Sequence, residues 1–75
     1  MIFDTVRDTL AQQFELDPSG ITAETNLIDD IGADSLDVVE LIMSLEDIYG
    51  ISISDEEAAG LVTVGKICDF IDNAQ

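Results

Sequence analysis

Apolar residues recur at steps of three and four along several separate stretches of this chain. In the first stretch, from about residue 2 to residue 15, the recurring residues are Phe3, Val6, Leu10 and Phe14. This spacing is that of one face of an α-helix, because 3.6 residues complete each turn. No stretch alternates apolar and polar residues for long enough to predict a strand. The pattern therefore predicts an all-α fold.

The second helix is marked by turn and capping residues at both ends. We predict that it begins at Ser35, because Gly32 permits a turn and Asp34 can cap the helix. Asp37 follows near the positive end of the helix dipole. Gly50 is typical of a helix end, so the second helix is predicted to stop there.

Two further helices are predicted in the last third of the chain. Ser54 and Glu57 have the spacing of a capping box that opens a short third helix, which Gly60 stops. Thr63 can cap a fourth helix that runs to about Asn73. Its apolar stripe consists of Val64, Ile67, Cys68 and Ile71. We expect Cys68 to be a buried core residue rather than a reactive thiol.

A long connection separates the first two helices. The residues from Leu16 to Asp34 include Pro18 and show no sustained period, which indicates a loop. We expect its apolar side chains to pin it to the core; they are Ile21, Leu27, Ile28 and Ile31. Residues 51–53 alternate too briefly for a strand and are interpreted as a loop with inward-facing isoleucines. The prediction is a small four-helix bundle with a long first loop and a short third helix.

Charge and length limit the classes of function. The 75 residues suit one domain, predicted to span 1–75, and 17 acidic residues against 2 basic ones give a net charge of −15. Such a surface repels nucleic acid and attracts proteins with basic patches. The hydrophobic content of 47% is too high for a disordered acidic tail. A single cysteine and the lack of a signal peptide or long apolar span predict a cytoplasmic protein without a membrane span.

Several chemistries are excluded by missing residue types. The sequence contains no histidine, so a serine–histidine triad cannot form, and a zinc site of normal ligand count is also excluded. Asp29 and Glu40 have the separation of the first and last ligands of a calcium loop. Ile31 and Ala33 occupy its third and fifth positions, which excludes that loop. Weak, nonspecific divalent binding is left open for four carboxylates: Asp29, Asp30, Asp34 and Asp37. No metal site and no catalytic residue are predicted.

The second helix has two distinct faces. At about 100° per residue, one broad side faces the core. It comprises Val38, Leu41, Ile42, Leu45, Ile48 and Tyr49. The opposite side alternates apolar and acidic residues in a stripe that we call the docking stripe: Leu36, Glu40, Met43 and Asp47. An apolar pair among carboxylates favours a surface for a basic partner over side chains that tuck against the loop.

Gly32-Ala33-Asp34-Ser35-Leu36, followed by Asp37-Val38-Val39-Glu40-Leu41, resembles the prosthetic-group attachment motif of acyl carrier proteins. The frame around it is also similar, with four helices, a long first loop and an acidic second helix. The resemblance covers about residues 2 to 73. The chain is similar to the discrete carriers of bacterial fatty-acid synthesis.

The resemblance implies that Ser35 carries 4′-phosphopantetheine, attached as a phosphodiester by a separate transferase. The arm would hold acyl groups as thioesters, and the chemistry would belong to partner enzymes, so the chain itself is not an enzyme. Partners would be the phosphopantetheinyl transferase and fatty acid synthesis enzymes with basic patches, bound by a monomer through Asp34, Asp37 and the docking stripe. Acyl chains would enter a pocket lined by Val39, Leu45, Ile53, Ala58 and Leu61.

Other functions remain open at this point. A carrier for a polyketide or another specialised pathway would have much the same sequence. A small acidic interaction domain without a cofactor would also present the docking stripe. A relative of serine hydrolases is disfavoured by the missing histidine.

Overall fold

The computed structural model describes residues 2–74, so Met1 and Gln75, the ends of the predicted domain, lie outside the described residues. Four α-helices follow one another: α1 (Ile2–Phe14), α2 (Ser35–Tyr49), α3 (Asp55–Ala59) and α4 (Val64–Ala74). A 3₁₀ turn, Pro18–Gly20, interrupts the loop between α1 and α2. The residues from 2 to 74 contain no strand, only an isolated bridge between Asn26 and Thr63. The predicted all-α bundle, with its long first loop and short third helix, is confirmed.

The ends of α2 lie where the capping residues predicted them. Asp34 Oδ1 accepts the Asp37 amide at 2.9 Å, and Asp37 Oδ2 accepts the Asp34 amide at 3.2 Å. This reciprocal pair is a capping box that starts the helix at Ser35. Gly50, at φ 64°, adopts the left-handed conformation that ends it.

The short α3 and the start of α4 also follow their predicted caps. Ser54 Oγ accepts the Glu57 amide at 3.1 Å, and Glu57 Oε1 accepts the Ser54 amide at 3.4 Å. α3 stops before Gly60 after five residues. Thr63 Oγ1 accepts the Lys66 amide at 3.3 Å and caps α4.

One hydrophobic core joins all parts of the bundle. α1 packs against both α2 and α4, and α2 also packs against α3. The side chains with essentially no exposure come from three helices and the long loop; they are Val6, Leu10, Leu27, Leu41, Leu45, Val64, Ile67 and Ile71. Burial of this apolar surface is the main force that holds so small a domain together.

Three of the four residues expected to pin the long loop lie in or against the core. Ile21 and Leu27 are buried and Ile31 is half-buried, but Ile28 is 50% exposed, so its predicted core position is wrong. The reason is local. The Asn26 side-chain oxygen accepts the amides of both Ile28 and Asp29 at 2.9 Å, and this turn directs Leu27 inward and Ile28 outward.

Two predicted core residues of the helices also lie further out than expected. Ile48 is 51% exposed and Cys68 is half-buried. Each lies at the edge of its helix's buried arc, about 70° from the arc's centre at 100° per residue. Ile48 is in the last turn of α2. Ile53 is buried and Ile51 half-buried, so the inward-facing isoleucines before α3 are confirmed.

Main-chain hydrogen bonds tie the loop to the start of α4. The Leu27 amide donates to Val62 O at 2.8 Å, and the Gly65 amide donates to Ala23 O at 2.8 Å. A Cβ at position 65 would lie 3.0 Å from Ala23 O, so glycine permits this close approach. At the other end of α3, Glu46 Oε2 accepts the Ile53 amide at 2.6 Å. These bonds fix the long loop to the start of α4, and the segment before α3 to the last turn of α2.

Leu27 and its neighbour Ile28 provide a matched test of how the loop is anchored. Leu27→Ala removes a fully buried side chain and should reduce the free energy of unfolding by about 2–5 kcal/mol. Ile28→Ala truncates a half-exposed side chain and should change it by about 1 kcal/mol or less. Chemical denaturation of both variants measures the difference. Equal losses would show that the loop is not anchored through Leu27.

Candidate functional site

Ser35 is the first residue of α2 and its side chain is exposed. Asp34 and Asp37 make the capping bonds, so the Ser35 hydroxyl is not needed to cap the helix. Among residues 2–74 this hydroxyl has no hydrogen-bond partner, and neither do the amides of Ser35 and Leu36. A free hydroxyl therefore stands beside two free N–H donors at the positive end of a helix dipole.

An apolar groove of about 330 Å³ begins beside Ser35. It runs between α2, α3 and the long loop. Its walls are formed by Ile28, Ser35, Val38, Val39, Asp55, Ala58, Ala59 and Val62. The small side chains of α3 leave the space open, and Asp55 is the one charged residue on its rim. A groove of this composition suits an uncharged apolar chain.

The five residues predicted to line an acyl pocket lie in two groups. Val39 and Ala58 line the groove. Leu45, Ile53 and Leu61 are buried in the core and do not line it. Their predicted role in an acyl pocket stays a prediction.

Sequence reasoning did not identify the other walls of the groove. Val38 and Val39 follow Ser35 by three and four residues, so helical spacing alone places them on the same side as Ser35. The helical spacing could therefore have predicted these two walls of the groove. Ile28 and Val62 lie in loops, and no periodicity in the sequence brings them to this groove.

The docking stripe lies on the exposed surface of α2. Leu36 is 65% exposed and Met43 59%, and Glu40 and Asp47 are exposed as well. Asp34, beside the stripe, is exposed, and Asp37 is half-buried. The predicted exposure of the apolar pair is confirmed, so neither side chain tucks into the core.

The carboxylates of α2 are not neutralised by ion pairs within residues 2–74. The ion pairs of this part of the chain belong to Arg7, which binds Asp4 at 3.3 Å and Asp8 at 3.0 Å on α1. Arg7 also lies 5.6 Å from the centre of the Phe3 ring. The acidic surface of α2 is therefore available to an external cation or basic protein.

The acidic residues around the turn do not form a metal site in the described chain. Within residues 2–74 no three potential ligands converge on one point. Asp30 Oδ2 accepts the Asn26 amide at 2.8 Å, and Asp34 and Asp37 bind each other's amides. Nothing in this arrangement supports the divalent binding left open for Asp29, Asp30, Asp34 and Asp37. No helix among these residues is both long and apolar enough to cross a membrane.

Cys68 is the single thiol of the chain. It lies half-buried on α4, and burial, together with the nearby Asp69 carboxylate, raises the pKa of the Cys68 thiol above its usual value. A raised pKa means less thiolate at neutral pH, and thiolate is the reactive form. Cys68 is a poor nucleophile in this position.

Comparisons with known proteins agree on one family. Residues 4–71 match the family model described as a phosphopantetheine attachment site. The chain is 46% identical over 71 residues to the acyl carrier protein of Clostridium acetobutylicum, covering 95% of this chain and 92% of that protein. It is 42% identical over 71 residues to the acyl carrier protein of Campylobacter curvus, with the same coverage.

A solved structure also resembles the whole bundle. The acyl carrier protein of Enterococcus faecalis superposes with a TM-score of 0.86 at 34% identity, covering 99% of this chain and 94% of that one. The match extends over the four helices and the long loop, and so includes the residues that form the groove beside Ser35.

The raised pKa of Cys68 predicts slow alkylation of the folded protein. At neutral pH the folded chain contains less thiolate than the unfolded chain. When the rate of reaction with iodoacetamide is plotted against pH, the midpoint for the folded protein should therefore lie at higher pH than the midpoint for the same chain in denaturant. Mass spectrometry at a series of pH values measures both curves. Coincident midpoints would show that burial does not control this thiol.

Proposed function

The chain belongs to the acyl carrier protein family, and we propose that Ser35 is the residue to which its 4′-phosphopantetheine arm is attached. It is a carrier protein of fatty acid synthesis that uses phosphopantetheine as its cofactor. The observation that carries the assignment to Ser35 is its exposed hydroxyl, unpaired within residues 2–74, at the mouth of an apolar groove. This position lies within the matched family region, residues 4–71.

The start of α2 fits a phosphodiester. The capping box leaves the amides of Ser35 and Leu36 without partners in the described chain, and such donors at a helix N-terminus favour an anion. The capping role of Asp34 and Asp37 does not depend on the Ser35 hydroxyl. The arm supplies a terminal thiol that forms thioesters with acyl groups.

Attachment requires a separate transferase. The Ser35 oxygen would form a bond to the phosphorus of the pantetheine phosphate of coenzyme A, and the bond from that phosphorus to the nucleotide part would break. The serine proton would pass to a base on the transferase. The chain has no histidine, and a partner enzyme is the natural source of that base.

The groove is the proposed entrance for the acyl chain. Val39 and Ala58 form its walls, and the apolar lining favours transfer of a hydrocarbon chain from water. Leu45, Ile53 and Leu61 belong to the core into which we propose a longer chain would penetrate. They would contact only a chain long enough to part the helices.

We further propose a monomeric, cytoplasmic carrier that is not itself an enzyme. Its acidic α2 would bind the phosphopantetheinyl transferase and fatty acid synthesis enzymes through their basic patches. Glu40 and Asp47 would steer these partners, and Leu36 and Met43 would contact them directly. A polyketide carrier or a cofactor-free interaction domain is not favoured, since the curated relatives described above are named acyl carrier proteins.

Incubation with coenzyme A and a broad-specificity phosphopantetheinyl transferase tests the attachment site. We expect a mass gain of one phosphopantetheine, located on Ser35 by fragmentation, and no gain in Ser35→Ala. Because Asp34 rather than Ser35 caps α2, this substitution should change stability by only about 0.5 kcal/mol. Ser44→Ala is the matched control and should be modified normally. Modification of Ser35→Ala would disprove the assignment.

The docking stripe is tested by charge and apolar substitutions with matched controls. Glu40→Lys should lower the association rate of the transferase and flatten its salt dependence, whereas Glu24→Lys makes the same charge change on the loop and should do so less. Met43→Ala should raise the dissociation rate by about 5- to 30-fold, as expected for an apolar anchor worth about 1–2 kcal/mol.

Ile48→Ala is the control for Met43→Ala, because Ile48 is 51% exposed on another face of α2. Binding kinetics and thermal melting are measured for all four variants. Equal effects of the Met43 and Ile48 substitutions on dissociation would contradict the docking role of the stripe.

A further inference from the structure

The end of α1 is joined to the beginning of α2 by a side-chain hydrogen bond. Gln13 Nε2 donates to the main-chain oxygen of Asp37 at 2.9 Å, and the Gln13 side chain is half-buried. Among the hydrogen bonds between residues 2–74, this is the one through which a side chain connects these two helices. It reaches α2 two residues after Ser35.

Asp37 is held from three directions. Its amide donates to Asp34 Oδ1, its carboxylate accepts the Asp34 amide, and its carbonyl accepts from Gln13. Ser35 lies between the two residues of this capping box. The box is a local unit, and Gln13 ties it to the neighbouring helix. Gln13 thus adds a bond from α1 to the first turn of α2, the turn in which Ser35 lies.

The bond is not required to satisfy a buried group. The carbonyl of a residue inside a helix already accepts the amide four residues later. α1 and α2 also pack against each other, and Leu10 and Leu41 are fully buried in the core that the two helices share. Loss of Gln13 would therefore leave no orphaned polar atom and would cost little stability. Loss of Gln13 would remove a directional hydrogen bond to the first turn of α2.

We propose that Gln13 is a positioning residue for phosphopantetheine attachment, because it holds the first turn of α2 in the orientation that aligns the Ser35 hydroxyl for transfer. The inference rests on the proposed role of Ser35. Transfer requires the serine oxygen to approach phosphorus along a defined direction. Small errors of orientation reduce the rate of such a step more than they reduce binding.

Gln13 and Gln12 form a matched pair, because Gln12 is the adjacent, exposed residue of the same type. Steady-state assays use the transferase with coenzyme A and each variant as the carrier substrate. Gln13→Ala should lower the kcat of the transferase by about 5- to 20-fold and change the KM for the carrier by less than about twofold. Gln12→Ala should leave both within about twofold. Melting temperatures are measured alongside. A residue with a purely structural role would lower the melting temperature without this split between kcat and KM.

A second pair keeps the test independent of folding. Gln13→Lys retains an N–H donor on a long side chain, so its kcat should be higher than that of Gln13→Ala. It should come close to the kcat of Gln12→Lys, which adds the same charge at the neighbouring position. Equal kcat in the two alanine variants, or no recovery in Gln13→Lys, would overturn the positioning role. Modification of the wild-type chain at another residue would instead overturn the proposed function of Ser35.

Discussion

The reciprocal hydrogen bonds between Asp34 and Asp37 determine how the rest of the site is built. They fix the first residue of α2 and satisfy the amides that would otherwise compete for a neighbouring hydroxyl. A helix that begins with serine commonly uses that serine as its cap. In this chain the preceding aspartate takes that role, so the Ser35 oxygen stays outside the hydrogen bonding of the described fold and is accessible to a partner enzyme.

Charge has different roles in α1 and α2. On α1, Arg7 is engaged by Asp4, Asp8 and the Phe3 ring, so this base cannot neutralise α2. On α2, Glu40 and Asp47 face solvent, and no carboxylate of this helix has an ion pair in the described residues. A surface with one sign of charge destabilises a small bundle through self-repulsion, but it attracts basic partners over distances of about 10 Å. This arrangement of charge favours association with a basic partner at the expense of the stability of the fold.

The sequence predicted best what depends on local chemistry. The helix ends followed from capping residues, because a cap bonds within one turn of the helix end. Asp34 and Ser54 each accept an amide three residues later, and the Gly50 amide donates to Glu46 O. The sequence was a poorer guide to the burial of side chains whose position is decided by tertiary contacts. Ile28 was placed in the core because it is apolar, but the Asn26 turn directs it outward to the groove. Ile48 was misplaced because it lies at the edge of the buried arc of α2, where the helical pattern alone does not decide burial.

The groove depends on a main chain that is fixed by hydrogen bonds on both sides of α3. The Leu27 amide bonds to Val62 O, and Glu46 Oε2 bonds to the Ile53 amide, so the main chain is held on both sides of α3. Between these bonds α3 has only five residues, and two of the three that line the groove are alanines, Ala58 and Ala59. A short helix held at its ends, with few side chains of its own to pack, can leave an apolar space beside α2 without loosening the core beneath. Since the same Leu27 amide bond fixes the wall that carries Ile28, the anchor of the loop and the wall of the groove are one structural unit.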